Sequence, residues 1–212
     1  TMVRTGEAGS HGISALLVEK NSEGLSFGSN EEKMGWKSQP TAQVIFDDCN
    51  ISYQQLLGEE NKGFVYAMRG LDGGRLNIAA AALGGAQTAL NIAKKYIKER
   101  KAFGKSLSDF QGLQFKVADM EIAINSSRIF LREAAWKLDN EKSDAGVYCA
   151  MAKKYVTDNA FNIANNSLQL LGGYGYLADY GIEKIVRDLR VHQILEGTNE
   201  IMQLIIARDS LK

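Results

Sequence analysis

The sequence predicts an α+β chain that is mainly α: a partial, β-barrel-like segment followed by a C-terminal four-helix bundle. Three observations predict it. Short extended apolar runs are confined to the stretch from Gly12 to about Ile51, proline disappears after Pro40, and beyond Leu57 apolar residues recur every three or four positions. Of 212 residues, 45% are hydrophobic and 24% charged, with 21 glycines and one proline. That balance suits a globular chain with a buried core, and not a disordered or collagen-like one.

The extended runs are Ile13 to Val18, Leu25 to Phe27 and Ala42 to Phe46, separated by turn-rich stretches such as Asn21-Ser22-Glu23-Gly24. Pro40 stands just before the last of them, where a missing backbone donor costs the ladder nothing. The change of punctuation puts a domain boundary near Gly58. Beyond it, Ile78, Ala82, Ala86, Leu90, Ala93 and Ile97 give one apolar face over roughly Arg75 to Arg100. Small residues dominate that face and allow close packing. A near-heptad stripe from Leu113 through Val117, Met120, Ile124 and Leu131 to Leu138 predicts a second long helix. A third starts at Asp144 and stops at Gly172-Gly173. A shorter segment spans Asp179 to Arg190, and a last helix begins at Thr198, an N-cap residue with Glu200 in the first turn.

Twenty-five basic residues balance 25 acidic ones. The chain therefore has no overall field to draw nucleic acid or an anionic membrane, and phosphate binding falls to local patches. Cys49 and Cys149 stand too far apart for a metal motif, and His11 and His192 add too little for a zinc site, so no metal is expected; a reducing compartment fits best. No apolar run reaches the eighteen or so residues of a membrane-spanning helix. The sequence opens at Thr1 without a signal-like stretch and reads like the interior of a longer protein.

Three motifs bear on chemistry. Gly173-Tyr174-Gly175-Tyr176-Leu177-Ala178 matches a dinucleotide-fold fingerprint in form, but a helix rather than a strand precedes it, so a helix stop and glycine-rich corner is the better reading. Arg100 stands where a helix gives way to Ala102-Phe103-Gly104-Lys105, a corner at which a planar guanidinium suits phosphate. Glu196, between Ile194-Leu195 and Gly197 and just before a helix start, is the strongest candidate for chemistry. Apolar neighbours would desolvate it and raise its pKa, as a carboxylate base requires; the alternative is an acid that only complements the helix dipole.

Taken together, Met34-Gly35-Trp36, Phe46-Asp47-Asp48-Cys49, Leu71-Asp72-Gly73-Gly74-Arg75, Glu99 to Lys105 with Gln111, Gln169 to Gly175, and Arg187-Asp188 through Glu196 to Glu200 resemble the acyl-CoA dehydrogenase family along the whole chain. The resemblance implies a three-domain flavoenzyme of which this chain covers roughly the second half. Residues 1–58 would be the second half of the middle β domain, and 59–212 the C-terminal helical-bundle domain. It implies FAD-dependent α,β-dehydrogenation of a short branched acyl-CoA, isobutyryl-CoA favoured, with electrons passed to an electron-transferring flavoprotein. A homotetramer is implied, with no membrane insertion, in the mitochondrial matrix if the source is eukaryotic and otherwise in the cytoplasm. The alternatives are an acyl-CoA oxidase, or a non-catalytic helical oligomerisation fragment lacking flavin.

By the same resemblance Glu196 is the catalytic base. Arg100, Phe103 and Gln111 would contact FAD across a subunit interface. Gln169, Leu170, Leu171, Gly172 and Gly173 would form a second cofactor segment. Thr198, Asn199 and Glu200 would meet the cofactor beside the base. Asp72, Arg75, Gly197 and Arg208 would lie near the substrate, although an acid and an arginine three apart could equally be a surface ion pair.

Overall fold

A computed structural model describes all residues, Thr1–Lys212. The chain divides into two compact units, Thr1–Leu71 and Asp72–Lys212. In the first, β1 (Met2–Arg4) pairs antiparallel with β2 (Ile13–Ala15), Val3 opposite Ser14, and β3 (Leu25–Phe27) pairs antiparallel with β4 (Val44–Phe46). The extended runs thus form two-stranded ribbons shorter than the runs themselves. β1 is not foreseen, because three residues ending in an arginine carry no alternation to read. Ser14 is fully buried; its hydroxyl accepts from the Asn61 backbone N–H at 2.7 Å and shares a hydrogen bond with Thr5 at 2.6 Å. At Gly63 a Cβ would stand 2.5 Å from the Ser14 carbonyl carbon, so only glycine lets the first helix begin against this strand.

That helix, α1, runs Gly63–Glu99 over 37 residues, about 55 Å of axis at 1.5 Å per residue. It begins well before Arg75 because Gly70, Gly73 and Gly74 are helical; each costs about 1 kcal/mol relative to alanine, and tertiary packing overrides that cost. The boundary between the two units falls inside α1. Two residues after it, β5 (Lys101–Ala102) and β6 (Lys105–Ser106) form a hairpin. Its turn residues, Phe103 and Gly104, have φ of 52° and 81°, the left-handed pair that matches strand twist in a tight hairpin.

Helices α2 (Gln111–Asp139) and α3 (Ala145–Leu171) follow, then the short α4 (Ile182–Arg190) and α5 (Asn199–Ser210). The bundle is therefore three long and two short helices, and the chain is 63% helical. Ala79, Ala82, Ala86, Ala89 and Ala93 of α1 are fully buried, in one core with Met120 and Ile124 of α2 and Val156, Ala160 and Ile163 of α3. Large members such as Leu90 and Ile124 contribute about 1.5–3 kcal/mol each by leaving water. Lys94 pairs with Glu121 at 2.6 Å, and Arg128 donates to Gln87 at 2.8 Å, tying α1 to α2 along their rims. Lys137 and Asp144 join at 2.7 Å across the α2–α3 loop. Gly172, at φ 59°, ends α3, and the Thr198 hydroxyl accepts from the Ile201 N–H at the start of α5.

Candidate active site

The chain between α4 and α5 makes one 3-10 turn, Val191–Gln193, and then reverses at Glu196 and Gly197, whose φ angles are 56° and 87°. Left-handed backbone at a glutamate costs about 1–3 kcal/mol and survives only where surroundings enforce it. The reversal lays the Glu196 carboxylate on α1: a Cβ at Gly74 would stand 2.5 Å from Oε2. Glycine at 74 is therefore the notch that receives the acid. Glu196 is half-buried. Of its flanking residues, Ile194 turns its side chain to solvent and Leu195 is half-buried; the bare helix backbone at Gly74 lies against the carboxylate.

Beneath the turn lies a buried polar network from α3. Lys153 is fully buried, and its Nζ donates to the Gly197 carbonyl and to Asn199 Oδ1, both at 2.8 Å. Asn199 Nδ2 donates to Asp158 Oδ1 at 2.7 Å and to Thr157 Oγ1 at 3.0 Å, and Gln193 Nε2 donates to the same Asp158 oxygen at 2.7 Å. Burial pushes the Lys153 ammonium down to about 8, against the pull of Asp158 and Glu200. Burial raises Asp158, but hydrogen bonds from Lys154, Gln193 and Asn199 outweigh it and hold that carboxyl below its usual range. Glu200 is held below its usual range by its own backbone N–H and then by the Thr198 hydroxyl.

On α1, one residue past the notch, Arg75 is buried and donates to Asp72 at 2.6 Å. The pair is not a fully exposed surface one: Arg75 is buried, while Asp72 is partly open to solvent. Arg75 Nε has no hydrogen-bond partner within the chain. The neighbouring Cys149 thiol is pushed up to about 11 by burial and then by Asp72. Arg208 stands exposed in the last turn of α5 and is not bonded to this pair.

Arg100, Phe103 and Gln111 gather elsewhere, at the β5–β6 corner. All three are exposed, Phe103 almost completely at 94%. The Arg100 guanidinium lies 5.7 Å from the Tyr174 ring centre, at cation–π range. Tyr174 in turn packs on Tyr96 and Tyr180, with ring centres 6.2 and 5.3 Å away. This aromatic contact brings the Arg100 corner beside the segment after α3. There Gln169 is exposed, and Gly172 and Gly173 are exposed with open space where a Cβ would stand. Leu170 and Leu171 are core residues, so only their backbone is free to meet a ligand. An exposed guanidinium beside bare glycine backbone fits a phosphate-bearing dinucleotide. The Gly172–Tyr176 stretch is a 3-10 turn after a helix, which removes the strand–turn–helix reading of its glycines.

The two groups lie far apart on one chain. Gly74 and Arg100 are 26 positions apart on α1 and its end, about 39 Å at 1.5 Å per residue. Sequence reasoning missed Lys153, Gly74 and Tyr174. Lys153 did carry a signal, since it occupies the apolar register of Cys149, Ala152, Val156 and Ala160, all buried.

The chain is similar to known proteins over its length. Residues 61–211 match the family model described as acyl-CoA dehydrogenase, C-terminal domain. The chain is 53% identical over 212 residues to mitochondrial isobutyryl-CoA dehydrogenase of Dictyostelium discoideum, covering 100% of this chain and 51% of that protein. Butyryl-CoA dehydrogenase from Megasphaera elsdenii superposes with a TM-score of 0.96 at 39% identity, over 100% of this chain and 55% of that one. A chain of the structure described as the electron-transferring flavoprotein of Acidaminococcus fermentans gives 0.92 at 45% identity, over 96% and 53%. The chain thus spans about half the length of the curated relatives it matches.

The buried His192 beneath the Glu196 turn gives a pH test. Burial lowers its pKa from 6.5 to about 4, so between those values the unfolded chain binds the extra proton. The stability contributed by neutral His192 is complete above about pH 6.5 and falls towards pH 4, by at most about 1.4 kcal/mol per pH unit. Urea unfolding across this window should show that slope in the wild type, and His192→Gln should flatten it.

Proposed function

Since this chain belongs to the acyl-CoA dehydrogenase family, we propose that it carries the base and half of the cofactor cradle of a flavin-dependent oxidoreductase that introduces an α,β double bond into a short branched acyl-CoA. The observation that carries this reading is the Glu196 carboxylate lying half-buried in the Gly74 notch, one residue from the buried Arg75 and its partner Asp72. A carboxylate in that position removes the proton α to the thioester carbonyl. The backbone N–H of Glu196, on the reversed turn, is the donor suited to the thioester oxygen as enolate charge develops. Bound FAD supplies the acceptor for the β hydride. Isobutyryl-CoA is the favoured substrate, supported by the Dictyostelium relative at 53% identity, and an electron-transferring flavoprotein is the favoured acceptor of the electrons, supported by the Acidaminococcus likeness. The mitochondrial relative supports a matrix location in a eukaryotic source.

Cofactor binding is shared between copies in this reading. One flavin dinucleotide does not bridge the distance from Glu196 to Arg100, so Arg100, Phe103 and Gln111 serve the cofactor of a neighbouring copy; the family resemblance makes that assembly a homotetramer. The outer face of α2 supports self-association. Phe115, Ile122, Ile129 and Trp136, spaced by seven, are all exposed, an apolar seam of coiled-coil period. Paired antiparallel about a two-fold axis, Phe115 opposes Trp136, Ile122 opposes Ile129, and Asp119 opposes Arg132, so the seam complements itself in shape and charge.

In the protein carrying this chain, Glu196→Gln should lower turnover by about 100-fold or more, the effect of losing a general base, with acyl-CoA binding retained; turnover within a few-fold of wild type removes Glu196 from the chemistry. Peroxide release in place of reduction of an electron-transferring flavoprotein would make the enzyme an oxidase. Arg100→Ala should weaken FAD retention by about 10- to 100-fold, the loss of one charged hydrogen bond, measured by flavin absorbance after gel filtration. Unchanged retention would return Arg100 to the solvated surface.

A further inference from the structure

Lys153 is the largest fully buried side chain in the protein. It sits at a position of α3 where the register calls for an apolar residue, and methionine would fill the same volume. A buried ammonium is costly unless every donor is used, so its retention asks what its hydrogen bonds accomplish. None goes to its own helix: one goes to the Gly197 carbonyl and one to Asn199 Oδ1. These acceptors belong to the second residue of the left-handed reversal and to the first residue of α5, on the C-terminal side of Glu196. On the N-terminal side, Gln193 is held by Asp158, one turn further along the same helix. α3 thus grips both flanks of Glu196, while Glu196 itself makes no hydrogen bond to α3.

We infer that Lys153 is a positioning residue: by holding the Gly197 carbonyl and the Asn199 side chain, it keeps the Glu196–Gly197 backbone left-handed and so keeps the Glu196 carboxylate over Gly74. The backbone at Glu196 is strained and stays reversed only if something external fixes it. The Gly197 carbonyl is the natural handle, since glycine at that position gives no side chain to grip. Although burial lowers its proton affinity to about 8, Lys153 keeps its charge at neutral pH, and a charged donor makes the stronger hydrogen bond. The inference rests on Glu196 being the base, and it adds that placement of the base is set from α3.

The test compares Lys153→Met, Lys153→Gln and Glu196→Gln in the flavin-loaded protein with acyl-CoA, reading kcat and KM separately together with flavin content and helical circular dichroism. Displacing a catalytic group by about 1 Å costs about 100-fold. Lys153→Met should therefore lose about 10- to 100-fold in kcat with KM within about threefold and flavin content unchanged, and Lys153→Gln, which keeps an amide donor, should recover part of the loss. A Lys153→Met protein with kcat within twofold of wild type, or with its defect confined to KM, overturns the inference while leaving the base in place. If Lys153→Met does not fold, Lys153→Gln decides by the same criteria, and failure of both to fold assigns Lys153 to the core alone. Normal turnover in Glu196→Gln overturns the functional reading instead, so the two failures are distinguishable.

Discussion

A carboxylate can lie against the backbone of an α-helix only where the helix has no Cβ, and α1 has none at Gly74. Much else in the second unit follows from that contact. The acid must arrive from across the bundle, so it sits on a turn between two short helices. The turn must reverse sharply enough to point it at α1, so Glu196 and Gly197 are left-handed. A strained turn must be held, and buried polar groups of α3 hold it from below. The notch also weakens α1 locally, since Gly73 and Gly74 adjoin in mid-helix. The long alanine face further along the same helix, buried between α2 and α3, offsets that weakness.

The same helix separates two tasks. Near its first third it floors the carboxylate and carries the Asp72–Arg75 pair, Arg75 buried; at its far end it presents Arg100 beside Tyr174 and the bare glycines after α3. A rigid rod of this length keeps the two sites from serving one ligand on one chain. The exposed corner at the far end is built of an arginine, an almost fully exposed phenylalanine and a glutamine. In the proposed reading, a neighbouring copy completes the cofactor site. The exposed apolar residues of α2, spaced by seven, are the surface proposed for that contact.

Much of this was legible in the sequence, unevenly. The 3.6-residue period located α2, α3 and the distal part of α1, and Gly172 and Thr198 marked a helix end and a helix start because both act locally. The glycines at 70, 73 and 74 hid the first part of α1, since their propensity argues against helix while packing decides for it. Glu196 stood out by its neighbours, of which Ile194 is exposed and Leu195 half-buried; the backbone of a glycine 122 positions earlier lies against the carboxylate. Contacts of that range leave no local trace. Lys153 was visible in principle, as a charge inside an apolar register, but its partners were not. Leu170 and Leu171, grouped with a cofactor segment, bury their side chains in the core and leave only backbone for a ligand.

The measurement that bears most directly on the central contact is a paired reading of stability and turnover for Gly74→Ala. Alanine should stabilise the helix by up to about 1 kcal/mol, while its Cβ forces the Glu196 carboxylate off α1. The account predicts a melting temperature equal to or above wild type together with turnover reduced by about tenfold or more. Wild-type turnover in a stably folded Gly74→Ala protein would contradict it, because the carboxylate would then be working from somewhere other than this notch.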